Sequence, residues 1–555
     1  MYTLGINAAF HDSAASLIKD GELIAAAEEE RFTRVKHGKR PTPFSAYELP
    51  YHAIDYCLKE AGIHLSEVDH IAYSFDPDIN KIEVYPGLDD LYLSSIRRAA
   101  KLLVSGYPHH LQKRFDSTTA DDFEWHFVDH HIAHAASALF VSPYQHAAVL
   151  TIDGRGENVG TTYYLGKGNQ LEKLSEVLIP HSLGLLYEAV TAHLGFLHSS
   201  DEYKVMALAS YGRPTYLDEF SSLIHLRKNG KYTIDEYRLN LMFGPARKRN
   251  GPFTQKHFDI AHSLQKVLEA TVLQLINWLY EATHEENLCM AGGVALNCVM
   301  NAVIRDKGPF KNIWVQPAAG DAGTALGAAL WVDVQQRKTN ERSFVMEHAY
   351  WGPEYTDEEI EAFLKWTKVS YRRLNNVVKE AAQILAQDKV IGWYQGRMEF
   401  GPRALGSRSI LASPIHAEMQ ARLNDIKDRE DFRPVAPVVL EEDAPEWFND
   451  ASYSPFMLFV YDVNDDKADN IPAVRHVDGT ARIQTINQRQ HPCYYALLKE
   501  FKKLTGVPVL VNTSFNTRGE PIVCTPRDAV ECFWTSPFDA LVIGSFLLGK
   551  ENLVY

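Results

Sequence analysis

His130 and His134 stand four residues apart in the run Asp129-His130-His131-Ile132-Ala133-His134, followed by small residues that favour helix. On a helix, positions i and i+4 lie on one face, so two imidazoles can converge on a single ion. The spacing is that of the two-histidine helix of metalloproteases, but the glutamate base of that motif is missing. His131 and His134, three apart, form a competing pair, and in a chain with 23 histidines some close pairs are coincidence. A site needs carboxylates from elsewhere. Asp153 lies in the loop Asp153-Gly154-Arg155-Gly156-Glu157, and Asp321 in Gly320-Asp321-Ala322-Gly323, each at a strand end. Two His with two Asp is a mixed nitrogen–oxygen set suited to Fe(II), Zn or Mn. Asp321 serves equally well as an ordinary helix N-cap.

The elements that must position these residues begin with strands expected over 2–7, 14–18 and 23–27, with the turn Lys19-Asp20-Gly21 as a hairpin signal. The pattern returns as strands over 147–152 and 161–165 with a glycine turn at 166–168, which predicts an internally duplicated α/β domain. Between the copies, residues 28–40 read either as a solvated charged loop or as a basic lip for an anionic substrate, with Lys36 a candidate. Helices are expected over 50–62, 89–104, 130–141, 182–196 and 262–281. Residues 213–260 are polar and irregular, an insertion or an acceptor-binding lobe. Strand 287–290 runs into Gly292 and Gly293 and on to Asn297, a strand–glycine–helix arrangement that lets backbone approach a nucleotide. Strand 313–316 and a helix over 325–331 follow.

The polar, turn-prone stretch 333–355 marks a boundary, giving domains of residues 1–350 and 351–555. In the second, residues 395–409 set Arg397, Arg403 and Arg408 among glycines and serines, a candidate anion cradle because guanidinium forks bind phosphate bidentately. Lys427, Arg482 and the strand–loop 508–516, with Asn512, Ser514 and Asn516, carry further polar groups at the ends of apolar strands. Inter-strand salt bridges would explain the cations as well as an anionic ligand would.

Composition bounds the class. The chain has 555 residues, 46% hydrophobic and 23% charged, as in an ordinary globular protein of several domains. A net charge of −15 argues against nucleic acid as a partner. Six scattered cysteines without a CxxC pair fit reduced thiols in the cytoplasm. Neither a signal peptide nor an apolar run of membrane-spanning length is expected, and so no membrane partner.

The segments 10–15 (FHDSAA), 130–138 (HHIAHAASA), 151–157 (TIDGRGE), 291–297 (AGGVALN) and 320–329 (GDAGTALGAA), in this order, resemble the NodU/CmcH-type O-carbamoyltransferases over essentially the whole chain. The resemblance implies a duplicated actin/Hsp70/sugar-kinase-like α/β domain, similar to the universal tRNA threonylcarbamoyl transferase, followed by a YrdC-like α/β domain. It implies a metal, iron first, on His130, His134, Asp153 and Asp321, leaving His131 out, and places His11 and Lys36 at active-site positions. In the second domain it implies carbamoyl-phosphate contacts at Arg403, Lys427, Arg482 and Asn512. Ser514 and Asn516, with Gly292, Gly293 and Asn297, are nucleotide-side candidates. The implied substrates are ATP, with Mg2+, carbamoyl phosphate and a small natural-product or sugar hydroxyl, and a homodimer is an allowed assembly. The rival readings are a kinase or ATPase of the same duplicated fold, threonylcarbamoyl transfer to tRNA, and a non-catalytic binding module.

Overall fold

The computed structural model describes residues 1–38, 49–79, 90–102, 106–115, 123–338, 342 and 344–550. The chain divides into two compact units, Met1–Met346 and Glu347–Tyr555.

In the first unit, β1 (Tyr2–Asn7), β2 (Ala14–Lys19), β3 (Glu22–Glu28), β4 (His70–Tyr73) and β5 (Glu124–Phe127) form a sheet in the order β3-β2-β1-β4-β5. The first three strands are an antiparallel meander, and β4 and β5 add in parallel. The same plan recurs with β6 (His146–Ile152), β7 (Val159–Lys167) and β8 (Gln170–Leu178) as the meander. A small antiparallel hairpin, β9 (Ile224–Leu226) with β10 (Tyr232–Ile234), lies outside this sheet. β11 (Asn287–Ala291) and β12 (Asn312–Val315) complete the order β12-β11-β6-β7-β8, again in parallel beyond the meander. The expected duplication is therefore present strand for strand, with the mixed topology of an actin/Hsp70/sugar-kinase-like α/β fold. The stretch 213–260 is more ordered than its polarity suggests: it holds helix Leu217–Leu223, the β9–β10 hairpin, helix Leu239–Phe243 and the start of helix Gln255–Thr283.

Two helices carry the candidate ligands. His130–Leu139 is capped by Asp129, whose side chain accepts from Ile132 N, and packs on β6 and β11. Ala322–Arg337 packs on β1, β2 and β4 and crosses the first helix. The approach is close because the contact residues are small. A Cβ on Gly327 would lie 1.7 Å from the Ala133 carbonyl oxygen, and one on Gly5 would lie 1.8 Å from that of Ala325. Only glycine permits either backbone-to-side-chain distance.

In the second unit the strands are β13 (Arg372–Arg373), β14 (Ile391–Tyr394), β15 (Arg408–Ala412), β16 (Ala436–Leu440), β17 (Val460–Asp462), β18 (Thr480–Arg482), β19 (Gln484–Ile486), β20 (Val509–Ser514), β21 (Ala540–Ile543) and β22 (Phe546–Gly549). Eight of them make one mixed sheet in the order β13-β22-β21-β14-β15-β20-β16-β19, and β17 pairs with β18 apart from it. The sheet is covered by amphipathic helices including Val377–Leu385 and Pro492–Thr505, whose buried Ala381, Leu385, Leu497 and Phe501 join its core. No helix among the described residues is long and apolar enough to cross a membrane. All six cysteines are free, and five are buried.

Gly327→Ala is expected to lower the stability of the first unit by about 1–3 kcal/mol through overpacking. The readout is a lower denaturation midpoint; an unchanged midpoint would mean that the helices do not cross at this residue.

Candidate metal centre and anion pocket

His130 and His134 point their Nε2 atoms at Asp153 and Asp321. His130 Nε2 is 3.5 Å from Asp321 Oδ1 and 3.7 Å from Asp153 Oδ2; His134 Nε2 is 3.7 and 3.8 Å from the same oxygens. All four residues are buried. These separations are too long for hydrogen bonds and suit ligands sharing an ion at bond lengths near ~2.0–2.2 Å. Both Nε2 atoms lack a hydrogen-bond partner among the described residues. Each carboxylate spends one oxygen on a backbone N–H and presents the other: Asp153 Oδ1 accepts from Gly293 N at 2.9 Å, and Asp321 Oδ2 accepts from His11 N at 3.2 Å. His130 Nδ1 sits 3.2 Å from the Ser74 carbonyl oxygen, an obligate acceptor, which turns the Nε2 lone pair toward the centre. Orphaned buried nitrogens facing two carboxylates are what a divalent transition metal fits.

The electrostatics agree. Burial works against the protonated form of His130, but Asp321 and Asp153 outweigh it and hold its pKa well above the usual histidine value. Burial likewise disfavours ionised Asp153 and Asp321, yet the two imidazoles hold both carboxyls below the ordinary range. His131, the competing histidine, turns away to the Thr151 and Thr162 hydroxyls at 2.9 and 3.0 Å. Asp321 precedes its helix but makes no side-chain cap.

Gly292 has φ +95°, and a Cβ there would meet the Ile152 carbonyl oxygen at 2.2 Å, so glycine is required for the turn that brings Gly293 N to Asp153. Asn297 caps helix Cys298–Lys307 and exchanges two side-chain hydrogen bonds with Gln265. The structure thus commits Gly293 N and the Asn297 amide to protein partners.

Glu157, Asp12, His37 and Ser200 are not among the expected site residues, yet Glu157 bonds the ligand helix, and Asp12 joins His37 and Ser200 to His11 beside the centre. Glu157 is buried and accepts from His130 N and Asp76 N, at 3.0 and 2.8 Å, fixing the start of the ligand helix. Asp12 bridges two imidazoles, with Oδ2 3.1 Å from His11 Nδ1 and Oδ1 2.8 Å from His37 Nδ1. Burial opposes protonation of His11, but Asp12, then Asp321 and Glu202, raise its pKa to about 9. Lys36 Nζ and His37 Nε2 both reach Ser200 Oγ, at 3.4 and 2.8 Å. The only signal in sequence was adjacency: Asp12 follows His11, and His37 follows Lys36. Of the two readings of the charged stretch, the solvated loop does not hold for its first residues. Glu28, Glu29 and Arg31 are buried, Arg31 pairs with Glu28 and Glu30, and Glu29 accepts from Ala53 N at the start of helix Tyr51–Ala61. Residues 39 and 40 of that stretch lie outside the described residues.

In the second unit β20 carries two of the expected anion-side residues, Asn512 and Ser514, on one face. Asn512 Nδ2 donates to Ala404 O at 3.2 Å and to Gln484 Oε1 at 2.8 Å, linking the neighbours of Arg403 and Arg482. Its Oδ1 is buried without a partner among the described residues. Lys427 Nζ donates to the carbonyl and hydroxyl of Ser514 and to both side-chain and backbone oxygens of Asn516. Lys427 is 5% exposed, and none of the described carboxylates pairs with it. Burial, then Arg429 and Arg433, hold its ammonium well below the ordinary lysine range. The arginine-rich loop is only partly a cradle. Arg408 is fully buried, donates to the Gln395, Gly396, Ser407 and Pro353 carbonyls and stacks 3.6 Å over Tyr394. Glu399 Oε1 collects the N–H groups of Leu405, Ser407 and Arg408, so those donors face inward. Arg403 and Arg482 remain half-buried beside the Asn512 network.

The first unit thus carries a buried His–His–Asp–Asp group that could hold a metal, and the second a buried Lys427 beside a polar turn. Residues 2–330 match the family model for the carbamoyltransferase N-terminus, and residues 382–550 that for the carbamoyltransferase C-terminus. The chain belongs to the carbamoyltransferase family and is an enzyme of that class. It is 43% identical to the uncharacterised protein sll1178 of Synechocystis over 99% of this chain and 97% of that protein. It is 42% identical to nodulation protein NolNO of Sinorhizobium fredii over 98% of this chain and 80% of that one. Among solved structures, the activator of 2-hydroxyisocaproyl-CoA dehydratase from Clostridium difficile is similar at 14% identity and a TM-score of 0.34, covering 61% of this chain and 96% of that one.

Purified protein is expected to hold about one transition metal per chain, lost when Asp153→Asn and Asp321→Asn are combined. Elemental analysis decides it, and equal metal in both proteins would exclude the centre.

Proposed function

We propose that the enzyme is an ATP-dependent O-carbamoyltransferase that draws its carbamoyl group from carbamoyl phosphate. Lys427 carries the reading: a buried cation near Arg429 and Arg433, held by the Ser514–Asn516 turn and unpaired with any carboxylate among the described residues, suits an anionic ligand. In the second unit, acting as a YrdC-like domain, Arg403, Lys427, Arg482 and Asn512 hold carbamoyl phosphate, and Ser514 and Asn516 border the nucleotide. Water cleaves carbamoyl phosphate to phosphate and carbamate, whose oxygen attacks the α-phosphorus of ATP. Pyrophosphate leaves with Mg2+, and carbamoyl-adenylate forms.

In the first unit an acceptor hydroxyl of a small natural product or sugar attacks the carbamoyl carbon, and AMP leaves. A divalent transition metal, iron by the family resemblance, supplies Lewis acidity toward the carbamoyl oxygen when held by His130, His134, Asp153 and Asp321. Lys36 offers its ammonium to the donor, and His11 orients Asp321 through its backbone N–H. The Gly292–Gly293 turn is the edge that the AMP portion approaches. The reaction suits the cytoplasm, where ATP and carbamoyl phosphate are made. A kinase of the same fold would not need a buried His–His–Asp–Asp centre, and a net charge of −15 disfavours a tRNA substrate.

Incubation with ATP, carbamoyl phosphate and sugar alcohols is expected to yield AMP and pyrophosphate; ADP alone would favour the kinase reading. His130→Ala should reduce transfer by about 10²–10³-fold while leaving ATP–pyrophosphate exchange intact. Arg482→Ala should reduce the exchange itself by a similar factor. Equal loss of both activities in both variants would refute the division of labour.

A further inference from the structure

Three side chains beside the metal centre form a directional hydrogen-bonded chain. Ser200 Oγ lies 2.8 Å from His37 Nε2, and His37 Nδ1 lies 2.8 Å from Asp12 Oδ1. A hydroxyl, an imidazole bonded through both nitrogens, and a carboxylate, in this order, is the arrangement in which the carboxylate selects the tautomer and leaves Nε2 to accept a proton from the hydroxyl. Lys36 Nζ, 3.4 Å from the same Oγ, donates to it and helps fix the hydroxyl.

The chain is held at a cost. Asp12 and His37 are non-glycine residues at φ +43° and +66°, a region such residues rarely occupy. Asn7 Nδ2 ties down the His11 and Asp12 carbonyls at 2.7 and 2.9 Å, and Glu30 Oε2 accepts from His37 N at 2.7 Å. Asp12 and His37 are nevertheless 32% and 23% exposed, so the chain opens to a small molecule. It adjoins the centre through His11, whose backbone N–H bonds Asp321, and through Gly320, which faces Asp12.

We infer that Ser200, His37 and Asp12 form the proton relay of the transfer step. The inference rests on the carbamoyl-transfer reading. The acceptor O–H gives its proton to Ser200 Oγ as Ser200 passes its own to His37 Nε2. The acceptor oxygen bonds the carbamoyl carbon, the carbon–oxygen bond to AMP breaks, and AMP leaves as an anion that needs no proton. Asp12 is a positioning residue that faces the resulting imidazolium. Ser200 remains a hydroxyl throughout and takes no carbamoyl group.

The test uses the full-length enzyme in single turnover, with adenylate made in place from ATP and carbamoyl phosphate and with water as the acceptor. His37→Ala is expected to slow AMP release by about 10²–10⁴-fold, and free imidazole to restore part of it. His37→Gln, which fills the space, should be equally slow and not rescued. Asp12→Asn should slow release, and Asp12→Glu should recover part of it. Thermal melts and retained ATP–pyrophosphate exchange check that each variant is folded and makes adenylate. Wild-type rates in His37→Ala and Ser200→Ala, no imidazole rescue, or a carbamoyl adduct on Ser200 in the intact mass would each overturn the relay. A wild-type enzyme that makes no AMP would overturn the carbamoyl-transfer reading and the relay with it.

Discussion

Two carboxylates and two imidazoles buried together without one direct hydrogen bond between them are a costly arrangement. Removing such groups from water carries a penalty that only close partners or a cation offset. Here the partners are kept 3.5–3.8 Å apart by architecture. Gly327 lets the two ligand-bearing helices touch, Gly292 turns the backbone so that Gly293 N holds one oxygen of Asp153, and His11 N holds one oxygen of Asp321. The remaining oxygens and the Nε2 atoms face one another. The duplicated fold places these elements where they meet: one carboxylate follows β6 in the second meander, and the other opens the helix that packs on the first sheet.

The legible part of this arrangement was local. Hairpin signals and strand alternation depend on neighbouring residues, so both meanders and the duplication could be read directly. The i,i+4 spacing put His130 and His134 on one face, but spacing alone could not discard His131. That choice is made by Thr151 and Thr162 on adjacent strands, partners that exist only after folding. Asp321 was ambiguous for the same reason: its local position is a helix start, and only His130 and His134 from another helix give its carboxylate something better than a cap. Charge density left the stretch from Glu28 open between a solvated loop and a basic lip. In the fold Glu29 closes the start of helix Tyr51–Ala61, and Glu30 holds His37 N, so the charges are scaffold. Ser200 carried no signal, since a serine in a polar turn is ordinary until an imidazole reaches it.

The two units solve opposite electrostatic problems with the same device. The first buries two carboxylates against two imidazoles; the second buries Lys427 against the turn that ends β20. Burial alone does not mark function, and Arg408 shows why. It is as deeply buried as any cation in the chain, but carbonyls of four residues and the face of Tyr394 satisfy it, and together with Glu399 it shapes the loop. Lys427 differs in kind. Its acceptors come from the Ser514–Asn516 turn, whose hydroxyl and amide can rotate, and its nearest charges are the like-signed Arg429 and Arg433. An anion arriving at that turn would be drawn by all three cations and would lower the cost of keeping them together. The same ligand therefore stabilises the pocket and is held by it, and net charge cannot reveal this. A chain at −15 overall still sets Lys427, Arg429 and Arg433 near one turn.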